Sequence, residues 1–323
     1  MARSNNCFFS LTAWRSRWLR SAFRRWGLRP SSTDLGDGTV IHCWVPKARD
    51  PARPDLLLLH GFGANALWQF CDAVPALAPR FNVYVPDLLF FGESRTARPD
   101  RSEGFQARCV RRALEAHGVA AVAAAVGLSY GGFVAYSLAA EGWVGRLVLC
   151  CAGVSLEETD LKGGLFPVAD VEEAAAVLVP RTAERLRELM GYTFVKPPTG
   201  LPSCLLHDFI HEMCEQYVEE KKELLRAIAK DRKLSDLPKI SQPTLLVWGD
   251  KDRIFPIELA HRLKRHLGEN AELAVIKNTG HGFVHEKPKE FNRHLRNFLL
   301  KNLTSPNISN NLYIPTNHEN GSS

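Results

Sequence analysis

A serine in a tight, glycine-flanked turn is the strongest chemical signal in this sequence of 323 residues. Residues 127–131 read GLSYG and match the pattern G-x-S-x-G. In that pattern the serine occupies a sharp turn between a strand and a helix, where flanking glycines avoid a steric clash. An apolar run at 119–128 ends directly before Ser129, and a helical pattern follows at 133–140. This context predicts that Ser129 is a nucleophile.

A serine hydroxyl attacks a substrate only when a neighbouring base takes its proton. His281 follows the last predicted strand, at 272–276, and precedes the last predicted helix, at 288–301. Loops at the carboxyl ends of parallel strands are where such sheets meet their ligands. We therefore predict that His281 is the base, with His285 as a competitor that lies nearer to the following helix.

The base needs a carboxylate that fixes its tautomer and orientation. Asp250 and Asp252 both follow the predicted strand at 244–248. Asp252 lies further into the loop, and we predict that it reaches His281 while Asp250 braces the turn. The resulting chain order of serine, aspartate and histidine is the order that a nucleophile of this type requires.

A tetrahedral intermediate carries a negative charge that needs hydrogen-bond donors already in place. The backbone N–H of Tyr130 directly follows the nucleophile. The glycine-rich turn at 60–63, with the sequence HGFG, offers the N–H of Phe62 as the second predicted oxyanion donor. Asp87, in a third loop at 86–94, is assigned a structural role.

The elements that must position these residues alternate along the chain. Apolar runs predict strands, at 39–45, 56–59, 82–85, 119–128, 147–151, 244–248 and 272–276. Between them lie predicted helices, at 70–78, 103–117, 133–140, 257–267 and 288–301. This alternation predicts an α/β protein with a mostly parallel central sheet flanked by helices.

Four segments follow from this pattern. Residues 34–154 and 236–301 form the predicted core. Residues 155–235 lack strand signals and have helical stretches at 171–177, 183–190 and 207–228, which predicts a helical cap over the carboxyl edge of the sheet. Residues 302–323 are rich in Asn and Ser and are predicted to be a disordered tail.

The positive charge of the chain is concentrated at its start. Residues 1–33 hold seven Arg and no Asp or Glu, although the whole chain has a formal charge of only +6. Removing this segment leaves the remainder near neutral, so we do not expect a nucleic-acid partner. Within 8–26 the apolar residues Leu11, Trp14, Trp18, Ala22 and Trp26 recur at spacings of three and four, which predicts an amphipathic helix.

Three interpretations of this basic helix stay open. It is an anchor in a membrane interface, an organellar transit peptide, or a helix packed on the protein body. Since no apolar stretch is long enough to span a membrane and no secretory signal is apparent, we expect an intracellular protein, cytoplasmic or peripherally membrane-associated. The organellar location is the alternative.

The eight cysteines show no C-x-x-C spacing, so neither zinc nor disulfides are expected. We interpret them as small buried apolar residues of a reducing compartment.

Together these motifs resemble the α/β-hydrolase superfamily, and in particular its plant members and its monoacylglycerol lipase-like and esterase branches. The resemblance rests on segments 60–63, 86–94, 127–132, 249–256 and 280–281 and extends from about residue 56 to 300. It implies an α/β-hydrolase fold, a helical cap, a buried triad and no cofactor.

Ser129 at the nucleophile position also separates this chain from relatives that place aspartate there, the epoxide hydrolases and haloalkane dehalogenases. We therefore expect a serine hydrolase that cleaves a small-molecule carboxylic ester, with a lipid or other apolar acyl group. The alternatives are a small-molecule receptor with a retained triad and a C–C bond hydrolase. The oligomeric state is left open.

Overall fold

The computed structural model describes residues 10–301, and one central sheet organises them. Its eight strands are β1 (Leu28–Asp34), β2 (Val40–Pro46), β3 (Asp55–Leu59), β4 (Asn82–Pro86), β5 (Ala124–Leu128), β6 (Leu147–Cys150), β7 (Thr244–Gly249) and β8 (Ala271–Ile276). Their order in the sheet is β1-β2-β4-β3-β5-β6-β7-β8. The pairs β1–β2 and β2–β4 are antiparallel, and all other neighbours are parallel. The predicted fold class, an α/β-hydrolase fold with a mostly parallel sheet, is confirmed.

The helices follow the strands in the expected alternation. Those outside the cap are α1 (Leu11–Arg25), α2 (Ala66–Phe70), α3 (Val74–Leu77), α4 (Glu103–Glu115), α5 (Tyr130–Ala140), α11 (Ile257–Leu267), α12 (Phe283–Glu286) and α13 (Pro288–Leu300). Between β6 and β7 lie α6 (Glu158–Lys162), α7 (Val171–Leu178), α8 (Ala183–Thr193), α9 (Ser203–Met213) and α10 (Val218–Ala229). Within the described residues, no helix has both the length and the apolar character needed to cross a bilayer.

The central strands are apolar because both of their faces are covered. Strands β3 and β5 are buried along their whole length, as parallel strands between two helical layers must be. The register pairs Leu128 with Cys150 and Cys150 with Val247. The carboxyl ends of β5, β6 and β7 therefore lie side by side, which brings the loops that follow them to one edge of the sheet.

The start of the sheet differs from the expectation. The core was expected to begin at residue 34, but β1 already pairs with β2 from Leu28 to Asp34. This strand is polar and half-exposed, so it lacks the apolar signal of the central strands. Pro30 is compatible with it because β1 lies at the sheet edge, where a missing N–H breaks no second ladder.

Two predicted helices are each interrupted. The helix expected at 70–78 is two short helices, α2 and α3, and Pro75 lies in the first turn of α3, where proline is tolerated. The stretch at 207–228 is divided into α9 and α10 by Tyr217, whose φ of 54° is left-handed. Apolar spacing continues across that break, so the sequence pattern did not reveal it.

The cap segment contacts the core and also has a small apolar cluster of its own. Val177, Leu186, Leu206 and Ile210 belong to that cluster. Other side chains, among them Leu224 of α10, pack into the main core. The cap is therefore attached to the sheet domain by apolar contacts. The predicted tail at 302–323 lies outside the described residues.

Candidate active site

Ser129 lies in a strained turn between β5 and α5. Its backbone has φ 52° and ψ −118°, a combination that L-residues rarely adopt. The turn is tight because a Cβ at Gly127 would approach the carbonyl oxygen of Gly131 to 2.5 Å, and one at Gly131 would clash with the carbonyl of Leu59. The glycines flanking Ser129 are thus required sterically, as the sequence pattern predicted.

Asp252 and His281 form a hydrogen-bonded pair at the same edge of the sheet. Nδ1 of His281 donates to Oδ2 of Asp252 over 2.9 Å. The Asp252 side chain is fully buried, and its other oxygen accepts from the N–H groups of Ile254 at 2.8 Å and Phe255 at 2.9 Å. These bonds fix the carboxylate, which in turn leaves Nε2 of His281 as the ring nitrogen available to act as a base.

Asp250 has a different environment from that of Asp252. Its carboxylate accepts from the N–H of Thr279 at 3.4 Å, and its own N–H donates to the carbonyl of Ile276. It therefore joins the loop after β7 to the loop after β8. This is the bracing position that the sequence analysis assigned to it.

The loop that carries His281 is held on both sides by residues that the sequence analysis did not identify. The N–H of Gly280 donates to Glu286 over 2.7 Å, and the same carboxylate accepts from Val195 in the cap at 2.9 Å. The N–H of Gly282 donates to the carbonyl of Thr193, at the end of α8, over 2.8 Å. The cap therefore helps to position the histidine, which no local pattern around residue 281 indicates.

The turn at 60–63 is packed directly against Ser129. A Cβ at Gly61 would lie 2.7 Å from Cβ of Ser129. Gln69 clamps this turn, since it accepts from the N–H of Gly61 at 2.8 Å and donates to the carbonyls of Gly61 at 3.1 Å and Phe62 at 2.9 Å. The N–H groups of Phe62 and Tyr130 have no acceptor among residues 10–301. Both remain available for an oxyanion.

Phe255 links the two halves of the site. Its ring centroid lies 5.8 Å from that of His281 and 6.1 Å from that of Phe133, on the helix that Ser129 begins.

In the described part of the chain, the Ser129 hydroxyl is hydrogen-bonded neither to His281 nor to any other group. Catalytic hydrogen bonds commonly tighten only when substrate is present.

Cys151 is a site residue that the sequence analysis treated only as a small buried apolar side chain. It directly follows β6 with a left-handed φ of 46°. Its Sγ, a carboxylate oxygen of Asp252 and a ring nitrogen of His281 lie within 4.8 Å of one another. Burial, and then the charge of Asp252, raise the pKa of the Cys151 thiol well above its usual value.

Because the protonated thiol is a donor, Cys151 faces Asp252 with the polarity that suits a carboxylate. Sulfur, nitrogen and oxygen ligands of this kind also suit Zn²⁺. Here, however, the imidazole and carboxylate already share a 2.9 Å hydrogen bond, which favours a triad over a metal centre.

The other cysteines contribute no further chemistry to this site. Of the cysteines within residues 10–301, none forms a disulfide, and all are buried except Cys204. Cys7 lies outside the described residues.

Asp87 and His60 hold the neighbouring loops. Nδ1 of His42 donates to Asp87 over 2.9 Å. Although burial opposes ionisation, the hydrogen bond from His42 and its charge keep the pKa of Asp87 below its ordinary value. Burial lowers the pKa of His60, whose Nε2 accepts from the N–H of Leu88 at 2.9 Å and whose Nδ1 donates to the carbonyl of Gly61. The rings of His42 and His60 are thus both used to hold these loops together.

An apolar cavity of about 80 Å³ adjoins the site. Phe255 lies in its wall and its ring also faces that of His281, so the cavity begins beside this histidine. The rest of the wall comes largely from aliphatic and aromatic side chains of the cap and its neighbours, among them Leu161, Phe166, Val171, Leu225 and Ile254. A hydrocarbon chain fits this lining, whereas a charged group would lose its hydration there.

Comparison with known proteins gives consistent matches. The sequence profile described as the alpha/beta hydrolase family matches residues 56–294. The chain is 25% identical over 279 residues to the monoacylglycerol lipase ABHD6 of Bos taurus, covering 80% of this chain and 78% of that protein. It is 26% identical over 254 residues to a 2-hydroxy-6-oxononadienedioate/2-hydroxy-6-oxononatrienedioate hydrolase of Paraburkholderia xenovorans, covering 76% and 86%. A solved bacterial membrane phospholipase A aligns with a TM-score of 0.71 and 27% identity, covering 90% and 92%.

Proposed function

The chain belongs to the alpha/beta hydrolase family, and we propose that it is a serine hydrolase of the carboxylesterase or lipase type that cleaves an ester with an apolar acyl group. The observation that carries this proposal is the buried Asp252–His281 hydrogen bond, at the sheet edge where Ser129 occupies its strained turn. Lipases and esterases among the relatives and structural neighbours support the same class.

The reaction follows from the roles of these groups. Nε2 of His281 takes the proton of Ser129, and Oγ attacks the carbonyl carbon of the ester. The negative oxygen receives hydrogen bonds from the N–H groups of Phe62 and Tyr130. Each such donor is worth about 3 kcal/mol of transition-state stabilisation.

Collapse of the tetrahedral intermediate breaks the ester C–O bond, and the imidazolium of His281 gives its proton to the leaving alcohol. Water then attacks the acyl-enzyme on Ser129, with His281 again acting as base, and the acid departs. Asp252 stays ionised and holds the Nδ1–H of His281 throughout.

The apolar lining of the cavity supports an apolar acyl group. A chain that enters past Phe255 gains the transfer free energy of burial, about 0.8 kcal/mol for each methylene. Esters of increasing acyl length should therefore show rising kcat/KM until the cavity is full. A series of p-nitrophenyl esters measures this dependence directly.

A C–C bond hydrolase is the second candidate, because one relative of comparable similarity is a hydrolase of an oxo-dienedioate. Such a substrate carries two carboxylates, which need charged partners in the site. Arg253 lines the cavity, but it is exposed, and its guanidinium is held 4.9 Å from the ring centroid of Tyr192 and donates to the carbonyl of Gly191. Ester cleavage is therefore favoured.

Covalent labelling tests the nucleophile. Intact protein treated with a fluorophosphonate should gain one adduct on Ser129, which mass spectrometry locates, and Ser129→Ala should gain none. Ser137→Ala is the matched control, because Ser137 lies on the same helix and its hydroxyl donates to the carbonyl of Phe133. Labelling without turnover on any ester would instead favour the receptor alternative.

We also propose that the protein contacts a membrane peripherally through residues 8–26, of which 8 and 9 lie outside the described residues. Trp14 and Trp18 are half-exposed on α1, which supports this. An intracellular location, with the organellar alternative, stays a prediction.

A further inference from the structure

One side of helix α1 is anchored in the core, while another side exposes three large apolar side chains. Leu19 and Phe23 are fully buried. Leu11, Trp14 and Trp18, which we call the tryptophan stripe, are 47%, 53% and 50% exposed. Their spacings of three and four place them on one face of the helix. Exposed apolar groups gathered in this way mark an interaction surface.

The charge around the stripe is positive. Arg17, Arg24 and Arg25 are exposed on the same helix, and α1 contains no acidic residue. Arg20 differs, because it pairs with Glu93 at 2.9 Å. Tryptophan beside exposed arginine suits the boundary of a bilayer, where the indole ring enters the acyl region and the guanidinium binds lipid phosphate or carboxylate. The complementary surface is therefore an anionic lipid bilayer.

The opposite side of α1 is tied to the cap. The N–H and the hydroxyl of Thr12 both donate to Oδ2 of Asp208 on α9, over 2.9 and 2.7 Å. Ser16 accepts from the indole N–H of Trp68 on α2 over 2.9 Å, and the Trp68 ring lies 5.8 Å from that of Phe209 on α9. Helix α1 thus lies along the junction between the cap and the core.

We propose that the tryptophan stripe docks the protein on an anionic bilayer with this junction facing the lipid, so that esters dissolved in the bilayer are the substrates. The inference rests on the proposed ester hydrolysis and names the source of the ester. Water-soluble esters need no docking. Comparing the two kinds of substrate therefore distinguishes a loss of membrane docking from a loss of catalysis.

Vesicle sedimentation with the full chain tests the docking. The protein should bind vesicles of phosphatidylcholine with phosphatidylserine more tightly than vesicles of phosphatidylcholine alone. Trp14→Ser combined with Trp18→Ser should weaken binding at least about tenfold, since two half-exposed indoles lose their apolar contact. Tyrosine at both positions should restore much of the binding. Arg17→Glu should weaken binding by at least about fivefold, while Arg265→Glu, on an exposed arginine of α11, should not.

Activity separates this inference from the proposed function. The double serine variant should hydrolyse a soluble p-nitrophenyl ester at the wild-type rate. Its rate on an ester of the same acyl group presented in anionic vesicles should be at least about tenfold lower than that of the wild type. The docking proposal is overturned if that variant binds vesicles as tightly as the wild type does. It is also overturned if the wild type is a dimer and the variant is a monomer, because the stripe is then a dimer interface. Wild-type protein that binds vesicles but hydrolyses neither substrate overturns the proposed function and leaves the docking standing.

Discussion

Replacing Asp252 with Asn tests the arrangement of the site most directly. The two N–H groups of Ile254 and Phe255 require an acceptor at Oδ1, so the new amide nitrogen takes the position of Oδ2. There it faces Nδ1 of His281 at the former 2.9 Å. Two donors cannot share that contact, and the imidazole must place its proton on Nε2 instead. The ring then has no lone pair for the hydroxyl of Ser129.

The same replacement in serine proteases lowers kcat by about 10⁴. At 1.36 kcal/mol for each tenfold, that is about 5 kcal/mol of transition-state stabilisation. We expect a comparable loss here, with KM little changed because Asp252 contacts the base rather than the cavity. Initial rates on a p-nitrophenyl ester measure the loss, and the thermal transition verifies that the variant is folded.

Asp250→Asn is the matched control for this experiment. Asp250 lies two residues away in the same loop, and its one side-chain hydrogen bond, from Thr279, is long at 3.4 Å. Its replacement should change kcat by no more than a few fold. A folded Asp252→Asn variant that keeps more than a tenth of the activity refutes the reasoning, as does an equal loss in Asp250→Asn.

Four further predictions follow from individual contacts. Gln69→Ala removes the clamp on the turn at 60–63, so kcat should fall about tenfold or more with little change in KM, as measured by steady-state kinetics. Cys151→Ala removes a thiol facing Asp252, so kcat/KM should fall about tenfold and its dependence on pH should change. A pH dependence of kcat/KM identical to that of the wild type contradicts this. Burial lowers the pKa of His60 below the ordinary 6.5, so its contribution to the free energy of unfolding is complete above pH 6.5 and is lost as the pH falls through the folded value. Urea titrations should therefore show that acidification lowers the free energy of unfolding less in His60→Gln than in the wild type. Phe23→Ala should lower the free energy of unfolding by about 3–5 kcal/mol, and an effect below 1 kcal/mol in the same titrations rules out its packing role.

The sequence indicated most clearly those features that depend on local pattern. Strand β3 could be predicted because both of its faces are buried, so its residues form one apolar run. The turn at Ser129 could be predicted because close packing on both sides of it leaves no room for a Cβ at Gly127 or Gly131. Strand β1 could not, because only one neighbour pairs with it and its polar side chains give no periodic signal.

Site residues that act across the chain were harder to predict. Glu286 accepts from Gly280 and from Val195 in the cap, a contact between distant segments that no local pattern encodes. Cys151 had one available signal, its position directly after β6, where the carboxyl edge of the sheet collects functional side chains. Its adjacency to Cys150 in an apolar run suggested only burial.

The packing of α1 also bears on the interpretations left open for the basic N-terminus. A transit peptide is removed, so a mature core cannot depend on it. Here the ring of Phe23 lies 5.3 Å from that of Trp44 on β2, and both side chains are fully buried. Removing residues 1–33 would expose Trp44 and also remove most of β1, leaving the edge of β2 unpaired. A membrane-docking helix has no such conflict, because one side can remain in the core while the stripe of Leu11, Trp14 and Trp18 faces lipid.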